Sequence, residues 1–303
     1  MRLRPRASQP AAASEASATA PPAYPSPLGW PAIPPPGYLG QLDPAVQQRM
    51  ADAHARLDVA DCFFYHSADL PEGEVAGAWD LRGCEGVYLG GVDPAGKRVL
   101  ELGPASGGLT RWIEGQGADV VCFEVGYDAA VDLLPVPGCD LARERTESMR
   151  GEGVAGVQNS WWYLRRRLGS QAKMVYGDIY GLPGDLGRFD ISVFGAILLH
   201  LRDPFSALAQ AARVTDDTIV VVDLIQFGLD SQTEAQARFD PLVALEYRAI
   251  WWALSPGAVI AMLRRLGFGQ TTVTLHKQAH HLGHRLDEPQ TMMEMFTVVA
   301  RRG

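Results

Sequence analysis

Cysteine is scarce in this chain: the four present, Cys62, Cys84, Cys122 and Cys139, form no CxxC pair. That argues against a disulfide framework and points to a reducing compartment, the cytoplasm. Long apolar runs are lacking too. None approaches the roughly 18 residues that a membrane helix needs, so no membrane partner is expected. Positive charge is in deficit, with 27 Lys and Arg against 35 Asp and Glu and a formal net charge of −8. General nucleic-acid binders draw affinity from clustered cations, so this balance lowers the odds of one. It leaves room for a local patch, and Arg165, Arg166 and Arg167 are the candidate. No internal repeat is visible. What the chain does have is 303 residues, 47% of them hydrophobic, enough to bury a sizeable core.

Residues 1–40 stand apart. They hold ten of the 21 prolines, much Ala and Ser, and no periodicity. Such a segment buries too little apolar area to offset its ordering entropy and reads as a disordered tail. Its Arg2, Arg4 and Arg6 with a lone acid, Glu15, also resemble an organellar transit peptide. Residues 41–96 read as an N-terminal cover, with a helix over about 42–58 opened by Asp43 and Pro44 and then an aromatic, irregular lead-in. From 97 to 303 strand and helix patterns alternate. Strands are predicted at 98–101, 118–124, 172–176, 189–194, 218–224, 273–276 and 295–300. Helices are predicted from about 109, at 156–168, 204–214 and 256–266, the last with Ser255 as N-cap and Gly267 beyond its end. This alternation predicts a doubly wound, Rossmann-like α/β sheet of about seven strands. Its two late strands would make an antiparallel edge pair, and an insertion falls at about 225–255.

The stretch RVLELGPASGGLTRWI, residues 98–113, carries the first chemical signal. An apolar strand ends on an acid, glycines crowd a turn, and a helix begins. Gly103 and Gly107 let the backbone approach a ligand with no Cβ in the way, and the helix N-terminus offers free N–H groups. Two ligand classes compete on this stretch alone. A dinucleotide wants GxGxxG, and Gly103, Ala105 and Gly108 match it only partly. The other pattern is acid-x-Gly-x-x-x-Gly, from Glu101 through Gly103, Ala105 and Ser106 to Gly107.

That second pattern resembles the first motif of the class I S-adenosylmethionine-dependent methyltransferases, with Ala105 where glycine is commoner. The resemblance extends over about residues 97–300. It implies that Glu101 helps hold the cationic methionine end of S-adenosylmethionine. Glu124, which closes the second strand, can accept bonds from both ribose hydroxyls. By the same resemblance Asp178 and Ile179, just past the third strand, hold the adenine. FDISVFGAILLHLRDPFSAL, residues 189–208, resembles the fourth-strand region, where the segment after Phe194 and Gly195 would pass the sulfonium and the acceptor.

His200 follows that strand. Its ordinary pKa of about 6.5 suits it as a base if the acceptor is a hydroxyl. Tyr65, Trp79 and Trp251 are candidates to shape an acceptor pocket. His280 and His284 have the spacing of two metal ligands on a helix, but Gly283 weakens the helix and no metal is expected. A narrower resemblance, on Trp79, Asp80 and Arg82, GKRVLELG and WWALSPGAVIAMLRRLGF, is to enzymes that modify the wobble uridine of tRNA with a carboxylated form of the cofactor. Such an enzyme needs a continuous basic stripe. A small aromatic or apolar acceptor is the main expectation, tRNA the alternative, and a cofactor-binding protein without turnover a second alternative.

Overall fold

The computed structural model describes residues 40–126, 131–149, 153–240, 248–281 and 290–303. The expected tail, apart from Gly40, lies outside the described residues, as does His284.

The lead-in comprises α1 (Pro44–Ala53), the hairpin strands β1 (Ala68–Leu70) and β2 (Gly73–Val75), the short β3 (Trp79–Asp80) and α2 (Glu85–Tyr88). Asp43 opens α1 as its pattern predicts: its carboxylate accepts from the N–H of Ala45 at 2.8 Å, and Pro44 sits where no donor is needed. Then follow β4 (Arg98–Leu102), α3 (Gly108–Gly115), β5 (Asp119–Val125), α4 (Leu141–Ser148), α5 (Val154–Arg167), β6 (Lys173–Gly177), β7 (Phe189–Gly195) and α6 (Pro204–Val214). The last are β8 (Thr215–Leu224), the short pair β9 (Ala237–Phe239) and β10 (Trp252–Leu254), α7 (Pro256–Arg265), β11 (Gln270–His281) and β12 (Gln290–Arg301). Ser255 caps α7, its hydroxyl accepting from Ala258 N–H at 3.1 Å.

The main sheet has eight strands in the order β3-β11-β12-β8-β7-β4-β5-β6. β6, β5, β4, β7 and β8 run parallel, while β12 and β11 return antiparallel at one side, as the late strands predict. The expected seven become eight because Trp79 and Asp80 of the lead-in pair with His280 and Ala279. β11 and β12 each run 12 residues, far beyond the apolar stretches expected at 273–276 and 295–300. Their outer halves, HKQAHH at 276–281 and QTMMEM at 290–295, are mostly polar, so they lack the continuous apolar run by which a buried strand is recognised.

The chain order reverses at β4, with Leu102 in register between Phe123 of β5 and Phe194 of β7. In an open α/β sheet the crevice at that point is where ligands bind. Both sheet faces are covered. Val99, Cys122 and Val193 pack under Ile113, Trp161 and Trp162 on one side. Leu100, Phe194 and Phe296 pack under Leu208, Leu263 and Phe268 on the other. At the β6 edge two buried glutamines stand where another strand would lie. The Gln41 amide donates to Tyr176 O at 2.9 Å and accepts from Tyr176 N at 2.9 Å. Gln47 does the same to Met174 at 2.6 and 3.0 Å.

Candidate functional site

The glycine turn leaves β4 at the reversal point. Gly103, Ala105 and Gly107 all have positive φ, at 70°, 49° and 83°. Ala105 adopts this left-handed conformation despite its Cβ, a local strain of the kind found at ligand-holding turns. A Cβ on Gly103 would stand 2.5 Å from Ile197 Cδ1, and one on Gly107 2.8 Å from Trp161 Cδ1. The turn is clamped from the lead-in side. The buried Ser106 hydroxyl accepts from His66 N–H at 2.7 Å, and Gly108 N–H points at His66 Nδ1 at 3.4 Å. That second contact requires a lone pair on Nδ1, hence a neutral ring, and burial pushes His66 down to about 4.

Three acids close three of the parallel strands around this turn. Glu101 on β4 is 3% exposed. Its Oε2 accepts from the Thr110 hydroxyl at 2.5 Å, with the Cys122 thiol 3.6 Å away. Glu124, at the end of β5, takes hydrogen bonds from the backbone of Val125 and Ala105. Asp223, at the end of β8, accepts from Leu224 N–H at 2.8 Å, and its second oxygen is buried with no partner. Burial raises all three to about 7. Among the described residues no cation stands close enough to any of them to offset that burial.

The other candidates surround this centre. Asp178 is exposed and bonds Tyr180 N–H at 2.9 Å, forming a tight turn with Ile179 at its middle. Tyr180 is tied in turn to Asp132, which also accepts from Arg202 N–H at 2.8 Å. Phe194 is core, while Gly195 opens a turn in which Ala196 again has positive φ, 52°. A Cβ on Gly195 would lie 3.3 Å from the Tyr88 hydroxyl. His200 Nδ1 lies 2.7 Å from Ala249 O. A carbonyl only accepts, so Nδ1 carries the proton and Nε2 keeps a lone pair. Burial lowers the His200 pKa.

Tyr65 faces Asp223 and is braced by Trp79, which is 8% exposed and stacks edge-on with His280 at 4.6 Å. Trp79 therefore backs the site from within the core. Trp251 is held by its N–H to Leu199 O at 2.8 Å and leaves its indole N–H buried without an acceptor. Tyr88, an aromatic of the lead-in expected to cover the cofactor, lies beside Gly195; His66 and Asp223 join the site without a role having been expected of them from the sequence. Asp223 carried a readable mark, an acid closing the apolar run TIVVVDL as Glu101 and Glu124 close theirs.

Two sequence expectations are corrected. Arg165, Arg166 and Arg167 form no free basic stripe. Arg165 lies over Trp162 and donates to Ala172 O at 2.8 Å, Arg166 donates to the carbonyls of Ala55 and Leu57, and Arg167 pairs with Glu72 at 2.5 Å. His280, expected in a polar loop, is on a strand, because the long β11 and β12 ladder claims it. Among the described residues no group of three or more His, Cys, Asp or Glu is placed to hold a metal.

No protein-family model matches the chain. An uncharacterised 37.1 kDa protein in transposon TN4556 of Streptomyces fradiae is 35% identical over 92 residues. That match spans 29% of this chain and only 27% of the Streptomyces protein. Among solved structures, the N-terminal domain of EvdMO1 with SAH bound superposes with a TM-score of 0.50 at 18% identity. The superposition covers 84% of this chain and 95% of that domain. The same domain in the presence of SAH and D-fucose also gives 0.50 at 18% identity, over 86% and 98%. The chain has a class I methyltransferase-like fold.

Proposed function

We propose that the protein is an S-adenosylmethionine-dependent methyltransferase acting on a small molecule with an aromatic or apolar body. The observation that carries this reading is the set of buried acids at the carboxyl ends of β4, β5 and β8, Glu101, Glu124 and Asp223, none offset by a cation among the described residues. Uncompensated buried carboxylates are costly, and a cationic ligand relieves that cost. Glu124 alone would suit the ribose of either cofactor, but a dinucleotide would bring a pyrophosphate to the glycine turn beside Glu101, where like charges repel. SAH bound to the EvdMO1 domain, whose fold this chain shares, supports the same reading.

The residues fit the cofactor. Glu101 and the strained turn from Gly103 through Ala105, Ser106 and Gly107 would hold the methionine end. Glu124 would accept from the ribose, Asp178 and the Ile179 N–H would hold the adenine, and Phe194 and Gly195 would line the path to the acceptor. When bound, S-adenosylmethionine supplies a methyl group on a good leaving group. The protein's own work is then alignment, exclusion of water and removal of one proton. His200 Nε2 is free to take that proton from an acceptor hydroxyl, because Ala249 fixes the tautomer. Tyr65, backed by Trp79, and Trp251 would shape the acceptor pocket. On this reading residues 41–96 act as a cover and 97–303 as the cofactor domain, with an insertion at about 225–255. The four cysteines are free thiols, which suits the cytoplasm. The tied-down arginines weigh against tRNA.

Calorimetric titration with S-adenosylmethionine, S-adenosylhomocysteine, NAD and NADP tests the reading. Heat from the first two alone is the expected result. Binding of a nicotinamide cofactor alone, or of none, would overturn it. A site that binds the first two but transfers methyl to no acceptor would leave the non-catalytic alternative.

A further inference from the structure

Asp223 has no place in the roles assigned above. Its side chain is 2% exposed. One oxygen accepts from Leu224 N–H, and the Leu199 N–H also faces the carboxyl, yet Oδ2 has no hydrogen-bond partner. Among the described residues its surroundings offer nothing positive. From the lead-in come the phenols of Tyr65 and Tyr88, and across Tyr88 stands a second acid, Glu101. β12 pairs Phe296 against it. On the β7 side, Val222 is in register with Gly195 and accepts from Ala196 N–H at 2.9 Å. Asp223 is therefore level with Ala196, in the turn that the cofactor reading assigns to the sulfonium, on the side away from Glu101 and Glu124.

We propose that Asp223 is the counter-charge to the sulfonium of S-adenosylmethionine, so that the site distinguishes the methyl donor from its demethylated product. This rests on the cofactor reading given above. The chemistry of the two ligands isolates the role. Donor and product share adenine, ribose and the methionine ammonium and carboxylate. They differ in charge only at sulfur, which is cationic in the donor and a neutral thioether in the product. Glu101 and Glu124 address parts common to both. A buried carboxylate beside the sulfur addresses the part that differs. The acceptor oxygen's lone pair forms the new bond to the methyl carbon, the pair of the broken C–S bond stays on sulfur, and the acceptor's proton passes to His200 Nε2. Asp223 thereby loses its partner in the same event, which favours exchange of product for fresh donor.

The test is calorimetry at pH 8 with S-adenosylmethionine and S-adenosylhomocysteine, on the full chain and on Asp223→Asn and Glu101→Gln. Wild type is expected to prefer the donor. Asp223→Asn should lose donor affinity tenfold or more and keep product affinity within about twofold, retained product binding also proving the fold. Glu101→Gln should weaken both ligands alike. Equal losses of donor and product in Asp223→Asn, or no loss of either, would overturn the proposal while leaving the cofactor reading standing. Wild type that binds neither ligand would overturn both.

Discussion

Gly108 N–H meets the Nδ1 lone pair of His66 across 3.4 Å and 42 positions of chain. This contact joins the lead-in to the first turn of α3, where a backbone donor would otherwise be unsatisfied. It also works only while the imidazole is neutral. His66→Ala should therefore cost about 1–3 kcal/mol near neutral pH, from a lost buried acceptor and lost packing. The sign of its pH dependence follows from the direction of the shift. The folded pKa, about 4, lies below the ordinary 6.5, so the unfolded chain binds the extra proton between those values. The advantage of wild type over the variant should be full above pH 6.5 and shrink as pH falls toward 4. Thermal melts of both proteins across that range check it.

Gly103→Val should abolish binding of S-adenosylmethionine while leaving a folded protein. The new side chain meets Ile197, and at φ 70° a β-branched residue is strained whatever the space. Adding Ile197→Ala removes the clash but not the strain, so the double variant should recover little affinity. Full recovery in titrations of the double variant would mean that the glycine serves packing alone.

Asp178→Ala should weaken cofactor binding by about 1–3 kcal/mol, the scale of one lost hydrogen bond in a closed site. The carboxylate is exposed and bonds only its own turn, so the melting temperature should move little. Titration and melting of the same sample separate the two effects.

Glu101→Gln should trade function for stability. Burial raises Glu101 from 4.5 to about 7, so the folded state holds a proton that the unfolded chain has released between those values. Stability contributed by this group falls as pH rises through that window. The neutral amide escapes the penalty. The variant should match wild type near pH 5, exceed it by about 1–3 kcal/mol at pH 8, and bind the cofactor more weakly at both. Denaturant titrations at the two pH values decide this.

Much of this site is legible locally. Asp43, Ser255 and the glycine turn declare themselves because caps and tight turns depend on residues a few positions apart. Glu101, Glu124 and Asp178 are readable because each closes or follows an apolar strand. His66 and Tyr88 carry no local mark. They matter only because the lead-in folds back over the ends of β4 and β7, tens of residues further on. Arg165, Arg166 and Arg167 illustrate the opposite failure. A run of cations looks available until Trp162, Glu72 and the carbonyls of Ala55, Leu57 and Ala172 are seen to occupy it.

The glutamines beside β6 have a consequence for how the protein behaves at high concentration. A bare outer strand is a template on which another chain can add. Here Gln41 and Gln47 fill successive rungs at Tyr176 and Met174 with side-chain amides, which satisfy the ladder yet cannot extend it. The segment that clamps the glycine turn at one end is thus a stopper against fibre growth at the other.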